Sequence, residues 1–247
     1  MVNCCPNSKI NFLKTDWGFV FLSKNDYYIF FWFSRKPDYQ KTRIADMKIL
    51  TVTGFKGGVG KSTTAFHLAT YFCEFGETIL VDGDPNRTAV KWASRNSRAL
   101  PFEVADERQA MRLVQHKNFI IIDTPARPDS DDLKELAKGC DLLVLPTIPD
   151  VVSLEPMLQT AEALSDGANY RALITLVPPH PNREGELMRD DLKEGGIPVF
   201  ETMIRRTVGF AKAAMVGRSI RDIDDSRSRV AWEDYKSLGD EIMEIIK

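Results

Sequence analysis

The run Gly54-Phe55-Lys56-Gly57-Gly58-Val59-Gly60-Lys61-Ser62-Thr63-Thr64 constrains this chain more than any other stretch. It follows an apolar segment, Ile49-Leu50-Thr51-Val52-Thr53, and precedes Ala65-Phe66-His67-Leu68-Ala69-Thr70-Tyr71-Phe72, whose spacing is helical. Strand, glycine-rich turn and helix form the setting in which such a loop binds phosphate. Gly57, Gly58 and Gly60 let the backbone turn its N–H groups inward around an anion, because no Cβ blocks the required dihedrals. A helix starting near Ser62 adds unpaired N–H groups and the positive end of its dipole. Lys61 can reach β and γ phosphates, and the Ser62 hydroxyl can ligate Mg²⁺. These residues specify a nucleoside triphosphate site.

The generic form of the motif, Gly-x-x-x-x-Gly-Lys-Ser/Thr, wants a glycine where this chain has Phe55. The chain has instead a second lysine, Lys56, which would crowd Lys61 if both sat on one triphosphate. It is therefore either a solvated surface lysine or a group with a target elsewhere. The segment Lys56-Gly-Gly-Val-Gly-Lys-Ser-Thr63 resembles the deviant Walker A box of the ParA/MinD family of ATPases. That resemblance implies that Lys56 crosses a dimer interface to the partner's nucleotide, adding positive charge where the γ-phosphate develops negative charge. It also implies ATP binding through Gly57, Gly58, Val59, Gly60, Lys61, Ser62 and Thr63, with Lys56 and Lys61 acting in catalysis.

At 247 residues the chain is long enough for one well-buried α/β domain. Its formal net charge is −2, so any nucleic-acid contact must come from a local patch. Cys4, Cys5, Cys73 and Cys140 form no C-x-x-C pair and no zinc spacing, which fits a reducing cytosol and argues against the iron–sulfur relatives of this superfamily.

Residues 1–46 differ from the rest. Aromatic clusters at Trp17–Leu22 and Tyr27–Phe33 are too short to span a membrane and lack the order of a signal peptide. Lys24-Asn25-Asp26 suits a hairpin turn and a small β-unit. The reading preferred here starts the domain at Met47 and treats 1–46 as a dispensable or upstream-translated extension, poorly ordered. From 47 to 247 apolar runs alternate with helical stretches. Strands are expected at 48–53, 78–82, 119–123, 141–146, 172–177 and 197–200. Helices are expected at 62–75, 86–95, 107–115, 131–138, 152–165, 185–194, 206–216 and 228–246. The pattern predicts an α/β fold, a doubly wound and mostly parallel sheet with helices on both faces, as in P-loop NTPases of the deviant Walker A type.

Thr78-Ile-Leu-Val81 runs into Asp82-Gly83-Asp84-Pro85-Asn86. Carboxylates at the C-terminal end of a parallel strand lie beside the neighbouring phosphate loop. Pro85 ends the strand, and Asn86 can cap the next helix. By resemblance to the family's D-x-D-P-Q segment, Asp82 would help hold hydrated Mg²⁺ and Asp84 would orient the attacking water. Phe119-Ile-Ile-Ile-Asp123 has the form of a Walker B strand, with Asp123 binding Mg²⁺ through water. Cys140 reads as a small core residue. After the strand ending at Val177, the resemblance makes Pro178 a backbone contact to adenine; a plain proline-stiffened loop fits the residues as well. His67, His116 and His180 have no partner pattern and read as solvent-facing.

Between Ile204 and Arg229 the chain carries Arg205, Arg206, Lys212, Arg218, Arg221, Arg227 and Arg229 against Asp222, Asp224 and Asp225. This is either a solvated helix face with paired charges or a patch for DNA phosphates. The resemblance favours the second, with Arg205, Arg206, Lys212 and Arg218 as nonspecific DNA contacts. The C-terminal stretch 230–247 is amphipathic but acidic, unlike a membrane-binding helix with a basic face, so it is expected to pack onto the domain. The resemblance, spanning residues 47–247, thus implies an ATP-dependent homodimer, cytoplasmic and nucleoid-associated, without membrane contact. A small adaptor protein, ParB-like or McdB-like, would stimulate hydrolysis, and the cargo would be a plasmid, chromosome or carboxysome. A metabolic ATP-dependent ligase of the superfamily and a MinD-like membrane-cycling ATPase are the competing classes.

Overall fold

The computed structural model describes residues 19–24, 27–32, 47–54, 56–126, 128, 130–164 and 167–247. Ahead of Met47, β1 (Phe19–Lys24) and β2 (Tyr27–Trp32) pair antiparallel in a sheet of their own, with Phe19 opposite Trp32 and Lys24 opposite Tyr27. The remainder of the 1–46 expectation lies outside the described residues.

The rest is built on six strands: β3 (Lys48–Gly54), β4 (Thr78–Asp82), β5 (Glu103–Asp106), β6 (Phe119–Ala126), β7 (Leu142–Thr147) and β8 (Tyr170–Ile174). Between and after them run α1 (Lys61–Phe72), α2 (Thr88–Ser94), α3 (Glu107–Leu113), α4 (Ser130–Lys138), α5 (Val151–Ala163), α6 (Glu184–Glu194), α7 (Gly209–Val216) and α8 (Ser226–Ile245). The strands lie in the order β5-β4-β6-β3-β7-β8, and every pairing is parallel. Alternate side chains of each apolar strand serve opposite faces. Leu50, Val52, Leu80, Ile121 and Val144 point to the face covered by α1, α2, α7 and α8, whereas Leu143 and Leu145 meet α4, α5 and α6. Ile79, Val81 and Ile120 meet Ala110 of α3. All loops that follow the strands open at one edge of the sheet, and β3, the strand that feeds the glycine loop, is central.

Two elements depart from expectation. The β5 strand is four residues long, and only Ala105 among them is buried, so it carries too little apolar signal to announce itself. The expected strand at 197–200 is instead an irregular segment that touches β8 at one isolated bridge, Ala172 with Val199; a second bridge, Val177 with Arg205, joins the stretches beyond both. Pro198 has no N–H to give, and the N–H groups of Glu201 and Thr202 turn away to the Glu241 carboxylate of α8 at 2.9 and 3.2 Å. The preceding strand likewise stops at Ile174, and Leu176 adopts φ 54.

His67 overturns the solvent-facing expectation: it is wholly buried on α1. Its Nδ1 lies 2.7 Å from the Thr63 carbonyl, and Nε2 accepts the Ile220 N–H at 3.0 Å, which fixes the neutral ring with its proton on Nδ1. The ring stacks on Tyr235 with centroids 4.7 Å apart and meets Trp92 and Phe210 edge-on. The Tyr235 hydroxyl in turn reaches Thr64 Oγ1 at 3.3 Å. His116 and His180 are exposed as expected.

Burial pushes the His67 imidazole down to about 4, opposed by its bond to the Thr63 carbonyl. A histidine whose folded value lies below its unfolded one makes the unfolded chain the better proton acceptor between the two. Its contribution to stability is complete above about pH 6.5 and is lost as the pH falls towards 4, to a limit of about 3 kcal/mol. Urea unfolding midpoints measured across that range should show this loss, and a His67→Gln variant should lack it.

Candidate functional site

The glycine loop occupies the edge where β3, β4 and β6 end. Gly58 and Gly60 take φ 78 and 86, the left-handed region that other residues enter at a cost. Gly60 is the N-cap of α1 and has no side chain to offer, so the first-turn N–H groups are left to an anion. The loop is held from behind by Thr175, whose hydroxyl lies 2.8 Å from the Val59 carbonyl and 3.0 Å from that of Thr147. Thr124 Oγ1 donates to the Val52 carbonyl at 3.1 Å, tying β6 to β3 just before the loop. Neither threonine was legible as a site residue, since each acts on a carbonyl far away in sequence.

Lys61 begins α1, is buried, and turns its ammonium back into the loop towards the Lys56 carbonyl at 3.3 Å. Burial lowers its affinity for a proton, and the charges of Asp123 and Asp84 oppose that. Asp123 is fully buried at the end of the register that sets it beside Val52 and Asp82. Neither of its carboxylate oxygens has a hydrogen-bond partner; the Ser62 hydroxyl stabilises the charge without closing a bond of ordinary geometry. Burial therefore pushes this carboxyl up to about 7, with Asp82 and Asp84 adding to the rise and Lys61 opposing it. A buried carboxylate left like this is costly unless a cation completes it. Among the described residues no group of three His, Cys, Asp or Glu side chains closes on one point. One hydroxyl and one carboxylate beside an anion cradle would suit Mg²⁺, an ion that keeps most of its water and takes the rest from phosphate.

The turn after β4 is bonded to itself. Asp82 accepts the N–H groups of Asp84 and Val90 at 3.1 and 2.9 Å, so it is Asp82, rather than the expected Asn86, that caps α2. Burial raises the Asp82 carboxyl, and those N–H groups together with Arg87 oppose the rise. Asp84 accepts the Asn86 N–H on one oxygen at 2.8 Å. The fold thus gathers Lys61, Ser62, Asp82, Asp84 and Asp123 at one place. Lys56 is set apart: its ammonium is turned to Asp150, 3.1 Å away, on the outer lip of the loop. Pro178 follows Val177, whose N–H and carbonyl pair with Ile204 and Arg206 at 3.0 and 2.8 Å, so it stands half-buried where the 204–206 segment meets β8.

The basic residues lie on α7 and its flanks, the helical face shared with α1 and α8. Arg205 is committed to Asp234 through a two-pronged contact of 2.6 Å on each arm. Lys212 is 3.7 Å from Asp225, and Arg221 pairs with Glu74 and lies over the Trp232 ring. Arg206 is exposed and Arg218 partly so. At Gly217, with φ 70, the chain passes so close to the backbone of Arg95 and Asn96 that a side chain there would collide with it. Trp92 Nε1 and Arg95 Nη1 donate to the carbonyls of Arg218 and Ala214, both at 3.0 Å, clamping α2 to the end of α7. Cys140 packs in the α4–α5–α6 layer, its thiol pushed up to about 12 by burial, as a core residue. No helix among the described residues is long and apolar enough to cross a membrane.

Comparison with known proteins agrees with this geometry. Residues 50–220 match the family model of the CobQ/CobB/MinD/ParA nucleotide binding domain. Maintenance of carboxysome distribution protein A from Gloeobacter kilaueensis is 35% identical over 202 residues, covering 79% of this chain and 94% of that protein. Protein ParA from Rhizobium radiobacter is 23% identical over 202 residues, covering 75% and 90%. Among solved structures, the Cyanothece McdA complex with ATP, carrying an aspartate-to-alanine change, superposes with a TM-score of 0.59 at 14% identity, covering 81% of this chain and 96% of that one.

Proposed function

The chain belongs to the ParA branch of the CobQ/CobB/MinD/ParA family of nucleotide-binding proteins, and on that footing we propose that residues 47–247 form a Mg²⁺-dependent ATPase that positions a cargo. In this reading the loop N–H groups from Gly57 to Thr63 hold the triphosphate, Lys61 neutralises its β and γ oxygens, and backbone at Pro178 lies against adenine. Ser62, Asp82 and Asp123 hold hydrated Mg²⁺, which when bound draws charge from the β and γ phosphate oxygens. Asp84 accepts a hydrogen bond from the attacking water, enough for a reaction that depends on placement and charge more than on a strong base. Lys56 leaves its own subunit for the γ-phosphate of a twofold mate.

The observation that carries the proposal is the division of labour between the two lysines. Lys61 is buried and turned into the loop, while Lys56 stands on the outer lip, paired with an aspartate it can exchange for a phosphate. The ATP-bound dimer would then present two copies of the α7 patch. Arg206, Lys212 and Arg218 would meet DNA phosphates, Lys212 by leaving Asp225, and Arg205 would serve there only by giving up Asp234. Two copies double the phosphates contacted, so DNA affinity reports bound ATP. A small adaptor carried by the cargo would stimulate hydrolysis and release the dimer. The similarity to a carboxysome distribution protein favours a protein-bounded compartment as cargo, with a plasmid as the alternative that the ParA similarity supports.

Random-sequence DNA in a gel-shift assay should be retarded with ATP and at least ten times less with ADP. The shift should weaken steeply between 50 and 200 mM salt. Equal binding with both nucleotides, or none with either, would overturn the DNA part of the proposal.

A further inference from the structure

The turn that carries Asp84 is locked by a pair of side chains outside every motif in the sequence. Arg87 is one of two non-glycine residues among the described ones with positive φ, at 52 with ψ 45. A side chain is disfavoured in that region, so the surroundings must hold it. They do so from three sides. The Arg87 N–H donates to the Asp84 carbonyl at 2.9 Å, closing the turn. Its Nη1 donates to the Asp82 carbonyl at 2.6 Å, across the base of the turn. The same guanidinium then grips Glu107 in a two-pronged contact, Nη2 to Oε1 at 2.6 Å and Nη1 to Oε2.

Glu107 is the first residue of α3 and follows Asp106, the β5 residue in register with Asp82. The pair therefore bolts the turn to the start of the helix that follows the next strand of the sheet. Both side chains are largely enclosed, Glu107 at 17% and Arg87 at 31% exposure, so their contact is less screened than a surface pair. The planar fork matters here more than the charge, since a lysine could not span the Asp82 carbonyl and both Glu107 oxygens.

We infer that Arg87 and Glu107 are positioning residues for hydrolysis, holding the Asp82–Arg87 turn so that the second oxygen of Asp84 meets the attacking water. The inference rests on the reading of Asp84 as the water-orienting group. A pair that only stabilised the fold would affect nucleotide affinity and melting together with turnover. A positioning pair should lower turnover far more than nucleotide affinity, because a shift of about 1 Å in a reacting group costs about 100-fold in rate.

The test compares Arg87→Lys, Glu107→Gln and Glu107→Ala with Asp84→Ala in the full chain. Three readouts are taken: ATP turnover at saturation, affinity for a fluorescent ATP analogue, and melting temperature. The expected result is a 10- to 100-fold fall in kcat for the Arg87 and Glu107 variants, with affinity within about twofold. Combining Arg87→Lys with Glu107→Gln should cost little beyond the worse single change, because the two act as one unit. Parental kcat in Glu107→Gln and Arg87→Lys, or a loss of affinity equal to the loss of turnover, overturns the inference. If Asp84→Ala itself keeps parental turnover, the reading of Asp84 fails and the inference with it. If only Asp84→Ala is slow, the reading of Asp84 stands and the inference alone falls.

Discussion

Replacing Asp84 with alanine should lower ATP turnover about 100- to 1,000-fold while leaving ATP affinity nearly unchanged. The side chain is half-buried at the mouth of the site, and one of its oxygens is already taken by the Asn86 N–H. It adds negative charge next to Lys61 and Asp123, so it does not favour binding of a triphosphate, and its removal should not weaken that binding. What would be lost, on the proposed reading, is the acceptor that orients water. Asp84→Ala should therefore accumulate as an ATP-bound dimer, still retained on DNA after the parental protein has hydrolysed its nucleotide and let go. Single-turnover hydrolysis with an ATP-binding titration decides the matter. A parental rate would remove Asp84 from the reaction.

Lys56→Ala should be the second severe lesion, costing about 10³-fold or more in hydrolysis if the ammonium acts as a finger from the other subunit. Loss alone does not show which subunit's nucleotide it serves, but mixing does. In a dimer of one Lys56→Ala and one Asp84→Ala subunit, the first keeps its own Asp84 and receives Lys56 from the second. That site is whole, while the other lacks both groups. Equal mixtures of two inactive proteins should therefore regain about a quarter of the parental rate, half the dimers being mixed with one whole site of two. A lysine that served its own nucleotide would give no recovery at any ratio. The mixture thus reports directly whether Lys56 leaves Asp150 for the other subunit's nucleotide.

How much of this was legible in the residues follows from how local each feature is. The glycine loop, the aspartate ending β4 and Asp123 within β6 are contiguous with apolar runs, and the parallel register brings them together without further information. The class of fold was legible for the same reason, since buried strands and helices alternate from Met47 on. What stayed hidden depends on a partner far along the chain. Glu107 lies 20 residues from Arg87, Thr175 lies 116 from Val59, and His67 lies 153 from Ile220. In the sequence His67 is a polar residue whose spacing offers no partner, and it reads as solvent-facing. Its partner is a backbone N–H, which leaves no mark in the sequence. The 197–200 segment failed in the opposite sense, its apolar residues suggesting a ladder that Pro198 and the Glu241 carboxylate prevent.

The stacking of His67 against Tyr235, with Thr64 bonded to the same tyrosine, gives the last helix a foundation role. The bed on which the phosphate cradle rests is laid partly by residues near the end of the chain. Shortening the protein past Tyr235 would pull that bed from under Thr63 and Thr64, although no removed atom lies in the cradle. The middle of the last helix is thus joined through stacked rings to the first turns of α1.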